Sequence, residues 1–362
     1  MLVVVKIGWK EADTARLSAV LKKALAGKVY ETICTAAQFA DFCRLSQQDK
    51  EGTAVVFALA LSRRGITRSY LDMTACLLEY PDGLTGCAGA VITDGPGELF
   101  TKKISRELIF LANQSGCAFP GKPLVEATGS LYNFNTQAAV QRITPYEAYE
   151  ASAVRLIQKV QHLTASFGSK RPLHLQVLLL HASSRQTSNT LLLWEMIRSR
   201  LNGKAAIEEI SLRNGEVVDC RGCSYEACLH FGEKGECFYG GVMVDQVYPA
   251  IQASNVIVLA CPNYNDAVSA NMTAFFNRLT ALFRKDGHTF SHKRVYALVV
   301  SGYSGGDIVA EQVLDAMNCN KNFILPEKFA LIETANAPNS ILRCSGIADR
   351  AAAMADRILA GW

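Results

Sequence analysis

At 362 residues the chain is long for one ordinary domain and suits two of roughly 150 to 200 residues each. Hydrophobic residues at 49% and charged residues at 19% exclude a disordered, collagen-like or extended coiled-coil chain, so it folds on a core of its own. With 37 Lys and Arg against 33 Asp and Glu, the formal net charge is +4 and no long like-charge run occurs, which argues against nucleic acid as a partner.

Met1-Leu2-Val3-Val4-Val5-Lys6 reads as a first β-strand, since it lacks the charged start, long apolar middle and cleavage site of a signal peptide. It opens the segment LVVVKIGWKEADTARLSAVLKKAL (2–25), in which a polar loop and an amphipathic helix follow the strand. AVVFALA (54–60) is a short continuous apolar run of the kind shown by parallel strands buried on both faces. A helix containing MTACLLEYPDG (73–83) comes next, then strands in AVITDGPGEL (90–99) and PLVEATGSL (123–131). The small, polar stretch Ser166-Phe167-Gly168-Ser169-Lys170-Arg171-Pro172 is the expected boundary between a domain at 1–165 and another at 173–362.

Beyond that boundary the same order returns, displaced by about 200 residues. LQVLLLHASSRQTSNTLLLWEMIRSRL (175–201) answers the first strand, loop and helix, and VIVLACP (256–262) answers AVVFALA. LTALFRKDG (279–287), ALVVSGYSGGD (297–307) and FALIETANA (329–337) continue the series. Strands alternating with helices through both copies predict an α/β fold: two tandem doubly wound parallel sheets, each a three-layer α/β/α domain. No apolar run reaches the roughly 18 residues of a membrane span, so no membrane partner is expected.

In such sheets ligands sit beyond the carboxyl ends of the strands. Three loops there are informative in the second copy. His181-Ala182-Ser183-Ser184-Arg185-Gln186-Thr187-Ser188-Asn189-Thr190 leads into a helix and is rich in hydroxyls, with one guanidinium; a phosphate needs such donors beside helix N–H groups. Taken alone, it also reads as a Ser/Thr-rich helix cap. Pro262-Asn263-Tyr264-Asn265-Asp266-Ala267-Val268-Ser269-Ala270 offers a turn, a flat ring and amides, a wall for a planar heteroaromatic ligand. Ser301-Gly302-Tyr303-Ser304-Gly305-Gly306-Asp307 is glycine-rich, so its backbone can approach a ligand closely.

These loops resemble those of the NAD(P)H-dependent FMN reductases and iron-sulfur flavoproteins of the flavodoxin-like superfamily. Ser183, Arg185, Ser188, Asn189 and Thr190 match that family's phosphate loop, with Ala182 and Ser184 departing from it. Pro262, Tyr264, Ser269 and Phe275 to Arg278 match its flavin loop and following helix, and Cys220, Gly222, Cys223, Gly235 and Cys237 its cysteine segment. The resemblance covers about residues 174–340. It implies FMN held at the phosphate by Ser183, Arg185, Ser188, Asn189 and Thr190, and along its chain and ring by Pro262, Asn263, Tyr264, Asn265, Ser301, Gly302 and Tyr303. It further implies NAD(P)H as electron donor, a small-molecule acceptor, no side chain serving as acid or base, and, by analogy, a homodimer.

The first copy keeps the strands and loses the loops. At the phosphate position it has Trp9-Lys10-Glu11-Ala12-Asp13-Thr14, whose two carboxylates would repel a phosphate. Its second loop, Leu61-Ser62-Arg63-Arg64-Gly65-Ile66-Thr67-Arg68, has no Pro-x-Tyr, and only Thr93-Asp94-Gly95-Pro96-Gly97-Glu98 stays glycine-rich. A duplicated domain without flavin is expected, serving as packing partner, lid or substrate wall. Its arginines Arg63, Arg64 and Arg68 read either as a solvated surface or as facing an anion such as the 2′-phosphate of NADPH.

Twelve cysteines without a secretory signal point to a reducing, cytoplasmic setting, and four of them cluster as Cys220, Cys223, Cys228 and Cys237. Three readings stand: ligands of a [4Fe-4S] cluster or zinc, a redox pair at Cys220 and Cys223, or buried small hydrophobes beside Tyr225, Phe231, Phe238 and Tyr239. The gap of four residues after Cys223 departs from the tighter spacing of the iron-sulfur flavoproteins. The six histidines show no metal-ligand spacing, and no Gly-x-Ser-x-Gly elbow marks Ser183 or Ser184 as a nucleophile. The leading expectation is an FMN-dependent NAD(P)H oxidoreductase; the alternatives are an iron-sulfur electron-transfer or redox-sensing module and a non-catalytic scaffold.

Overall fold

The computed structural model describes residues 1–63, 65–168, 174–183, 187–213 and 217–360. Two compact units make up the chain: Met1–Phe167 with Pro326–Lys328, and Gly168–Leu325 with Phe329–Trp362. Ser169 to Pro172, part of the expected boundary, lie outside the described residues.

Each unit holds one five-stranded parallel sheet. In the first, β1 (Leu2–Ile7), β2 (Glu31–Ile33), β3 (Thr53–Ala60), β4 (Cys87–Asp94) and β5 (Leu124–Ala127) lie in the order β2-β1-β3-β4-β5. In the second, β6 (Gln176–His181), β7 (Ala206–Ser211), β8 (Val256–Pro262), β9 (Arg294–Ser301) and β10 (Ala330–Thr334) lie in the order β10-β9-β8-β6-β7. Counted from its own first strand and read from the appropriate edge, each sheet is 2-1-3-4-5, the flavodoxin-like order. The expected fold class is therefore the observed one, twice over.

Burial explains why the inner strands form. Every residue of β3, β4 and β9 is buried, as is β8 up to Pro262, which is the environment a continuous Val/Ile/Leu/Ala run requires. Helices supply the covering layers: α1 (Ala15–Ala24), α2 (Ala36–Arg44), α3 (Gln47–Lys50), α4 (Arg68–Glu79), α5 (Thr101–Gln114), α6 (Asn135–Gln141) and α7 (Pro145–Ala165) in the first unit. The second has α8 (Asn189–Leu201), α9 (Tyr225–Glu233), α10 (Tyr248–Ala253), α11 (Ala270–Asp286), α12 (Gly306–Val313) and α13 (Ile347–Leu359). The longest, α7, starts at a capping box in which Thr144 and Glu147 satisfy each other's backbone N–H, with Pro145 in the first turn.

On one face of the second sheet, Leu179, Val258 and Leu298 pack with Trp194 and Ile197 of α8 and Met354 of α13. Burying each such aliphatic side chain contributes about 1.5–3 kcal/mol, so a Leu179→Ala change would open a hole that α8 and α13 cannot fill. The edge strands β2 and β7 differ from the inner ones: Glu31, Glu208 and Glu209 are exposed, as suits a strand that must not pair with another chain. Glu209 also accepts from Trp194 Nε1 (3.0 Å) and pairs with Arg198 (3.1 Å), tying β7 to α8.

Candidate active site at the carboxyl ends of the second sheet

The first strand of this unit ends at His181, and α8 begins eight residues later. Ser188 caps α8, its Oγ accepting from Leu191 N (3.4 Å). The N–H groups of Asn189 and Thr190, in the first turn, have no carbonyl to reach within the helix, and among the described residues no other acceptor meets them. Ser183 and Thr190 are buried beside them. Arg185 lies outside the described residues, as do Ser184 and Gln186.

Asn189 has a further task that its place in the loop did not suggest. Its Nδ2 donates to the carbonyls of Ala335 and Ala337 (both 2.9 Å), and its Oδ1 accepts from Ile341 N (3.3 Å). The side chain thus braces the start of α8 against the segment after β10.

The loop after β8 is built as a tight hairpin. Tyr264 N donates to Ala267 O (3.0 Å), Ala267 N returns to Tyr264 O (3.2 Å), and Asn265 and Asp266 between them have φ of 52° and 59°. Two consecutive left-handed residues are what a turn of this type needs, and Asn and Asp tolerate that geometry best after glycine. The turn leaves Tyr264 exposed at its start, directly beyond the strand.

Asn263 joins this loop to the one after β9. Its Nδ2 donates to Ser301 Oγ (3.2 Å), Ser304 O (3.0 Å) and Asp266 Oδ1 (3.2 Å), while its Oδ1 accepts from Asp266 N (2.7 Å). Gly305, at the cap of α12 with φ +85°, has no room for a side chain: a Cβ there would stand 1.9 Å from Asp266 Oδ1. Gln312 of α12 completes the brace, donating to Asp266 O and accepting from Val268 N (both 3.0 Å). Buried Ser301 ends β9, and exposed Tyr303 is steadied by Asn336, whose Nδ2 donates to the phenolic oxygen (2.8 Å). Gly305, Asp266, Gln312 and Asn336 were not singled out from the sequence. Gln312 and Asn336 left no local signal, because their partners come from different loops.

His181 borders the α8 loop. Burial pushes its imidazole below the usual 6.5, so it is neutral at physiological pH and adds no charge to an anion site.

In the cysteine segment two expectations need correction. Cys220 and Cys223 are exposed, and Cys228 and Cys237 only half-buried, so they are not buried core residues. Nor do the four converge on a metal: among the described residues no group of three or more His, Cys, Asp or Glu could hold an ion. The spacing accounts for this, since the longer gap after Cys223 lets α9 form and carries Cys228 on it, between Cys220 and Cys223 before the helix and Cys237 after it.

What orders the segment is Arg278 of α11. Its buried guanidinium donates to Val218 O (3.1 Å) and Gly240 O (2.7 Å), pinning the chain on both sides of the cysteines. Phe275, one turn earlier, is fully buried. The matched Phe-x-x-Arg pair is thus a core anchor and a clamp. Phe231, Phe238 and Tyr239 form a chain of edge-on ring contacts at 5.5 and 5.2 Å.

Against known proteins, residues 175–337 match the family model described as NADPH-dependent FMN reductase. The sequence resemblance pointed to the same family. The second unit is therefore similar to the NADPH-dependent FMN reductases, which are flavin-dependent oxidoreductases. A search of curated proteins finds no match. Among solved structures, RosB with bound 8-demethyl-8-formylriboflavin-5'-phosphate is 16% identical, with a TM-score of 0.39, covering 51% of this chain and 79% of its own. An FMN-dependent NADH-azoreductase from Bacillus anthracis in complex with FMN is 13% identical, with a TM-score of 0.38, covering 51% of this chain and 100% of its own. The NADH:FMN oxidoreductase EMOB, in apo form, is 12% identical, with a TM-score of 0.36, covering 51% of this chain and 88% of its own. Among the described residues no helix is long and apolar enough to cross a membrane.

Proposed function

We propose that the second unit binds one FMN and that the chain is an NAD(P)H-dependent FMN oxidoreductase passing electrons to a small-molecule acceptor. The observation that carries this reading is the family match over residues 175–337, together with an open helix start directly after the unit's first strand. The FMN phosphate would take the N–H groups of Asn189 and Thr190 and the hydroxyls of Ser183, Ser188 and Thr190, with Arg185 adding charge. Pro262, Asn263, Tyr264 and Asn265 would line one side of the ribityl chain and ring, and Ser301, Gly302 and Tyr303 the other.

Bound FMN supplies two-electron chemistry with a nicotinamide donor, and the chain's own residues need only bind and orient. Tyr264 and Tyr303 present flat rings, and Asn263 holds their two loops in fixed register. The neutral His181 leaves the phosphate end to hydroxyls, backbone dipoles and Arg185. The first unit, in this reading, is a duplicated flavodoxin-like domain that binds no flavin.

Purified full-length protein should be yellow, carry one FMN per chain, and lose its flavin absorbance under NADH or NADPH without oxygen. A colourless preparation that takes up no added FMN would refute the assignment. Two FMN per chain would refute the reading of the first unit.

A further inference from the structure

The carboxyl ends of the first sheet also enclose a cavity, and its chemistry is unlike that of the second. It measures about 670 Å³, within the range of small-molecule sites, and Lys10, Arg16, Leu61, Arg63 and Asp94 are among its walls. It lies where the strand order reverses between β1 and β3, the place open parallel sheets reserve for ligands.

FMN does not suit it. The two carboxylates of the loop after β1 have taken helix-start donors that a phosphate would use: Glu11 accepts from Arg68 N (2.6 Å) and Ser69 N (2.9 Å) of α4, and Asp13 from Ala15 N (3.0 Å) of α1. Across the floor, Arg16 forks onto both oxygens of Asp94 (2.8 Å each) and onto the carbonyls of Gly95, Thr128 and Gly129. These acidic groups are engaged. Asp94 is neutralised by Arg16, and Glu11 and Asp13 keep their charge but turn their oxygens onto the helix starts; Lys10 and Arg63 are exposed at the wall, and neither meets a carboxylate among the described residues. Close to Arg63, Gly65 N donates to Ser62 O (2.9 Å).

Beside that hydrogen bond the surface is apolar and held under strain. Phe100 adopts φ of 74°, a left-handed conformation that a bulky residue rarely takes, and its ring lies over Gly65. Ile66 and Phe100 stay about half exposed, at 49% and 52%.

We propose that the first unit is a second, flavin-independent ligand site, for a small organic anion with a flat apolar body. Its acidic group is held by Lys10 and Arg63, and its body lies along Leu61, Ile66 and Phe100. The inference is independent of the flavin site and could fail while that assignment stands.

Salicylate is the probe, titrated by calorimetry into the full FMN-loaded chain. One saturable site per chain is expected, weakened about tenfold or more in a Lys10→Ala/Arg63→Ala double variant whose FMN content is unchanged. Both residues are exposed, so that variant should fold. Absence of saturable binding, or equal binding by the double variant, would overturn the proposal. So would loss of binding in Tyr264→Ala but not in the double variant, since the salicylate would then lie on the flavin face. Inorganic phosphate competing as well as salicylate would overturn the apolar part of the assignment.

Discussion

The two sheets share one strand order and differ in what they do with the starts of their helices. In the second unit the loop into α8 is rich in hydroxyl residues, and among the described residues no acceptor meets the first-turn N–H groups of Asn189 and Thr190. In the first, the equivalent loop supplies Asp13 to α1 and Glu11 to α4, so the chain itself fills those positions. The N–H groups of Ser69 and Arg68 hold the Glu11 carboxyl below the usual carboxylate range, Ser69 contributing most. The carboxylates thus take backbone donors at the starts of α1 and α4 for themselves. Two sheets of one strand order can differ at their edges through two side chains.

The comparison breaks most readily at the third loop of each sheet. Gly305→Ala forces a Cβ to within 1.9 Å of Asp266 and should pull apart the loops that Asn263 joins, lowering FMN affinity about tenfold or more by fluorescence titration. Gly97→Ala, at the corresponding loop of the first unit, meets nothing within 4 Å and should leave both stability and FMN content as they were. If the two variants behaved alike, the claimed difference between the edges would be wrong.

A separate effect, on stability, is expected from the floor of the first site. Burial pushes the Asp94 carboxyl up, only partly offset by Arg16, so the ion pair is the acid's principal compensation. Arg16→Met should therefore cost about 3 kcal/mol in denaturant unfolding of the first unit, with one FMN still bound per chain. Loss of flavin in this variant would show that the units are not independent in binding.

The smallest effect concerns pH. His181 has a folded-state pKa below its usual 6.5 because of burial, so its contribution to stability is present above that value and fades as pH falls through 6.5 toward the lower one. His181→Gln should flatten that slope for the second unit by a few tenths of a kcal/mol, measured as unfolding midpoints between pH 5 and 7. The first unit's transition should not respond.

Much of the fold was legible because inner parallel strands must be apolar along their whole length: AVVFALA and VIVLACP carry that requirement openly. Strands β2 and β7 were not, since an edge strand with Glu31, Glu208 and Glu209 outward has no such run. The site divides in the same way. Loops at strand ends could be found by position, but the brace from Asn189 to Ala335 and Ala337 joins residues nearly 150 apart and leaves no trace in either segment. Cysteine spacing, likewise, gave the number of thiols and not the helix that would part them.

The internal carboxylate at α4 has a consequence for the life of the chain. A domain that depends on a soluble cofactor gains stability with cofactor supply, in proportion to the logarithm of its concentration over the dissociation constant. Glu11 is supplied at fixed stoichiometry by translation itself. In the reading proposed above the first unit has no cofactor-starved form, and when flavin is scarce the chain would carry one half at full stability beside another whose persistence rises and falls with the flavin pool.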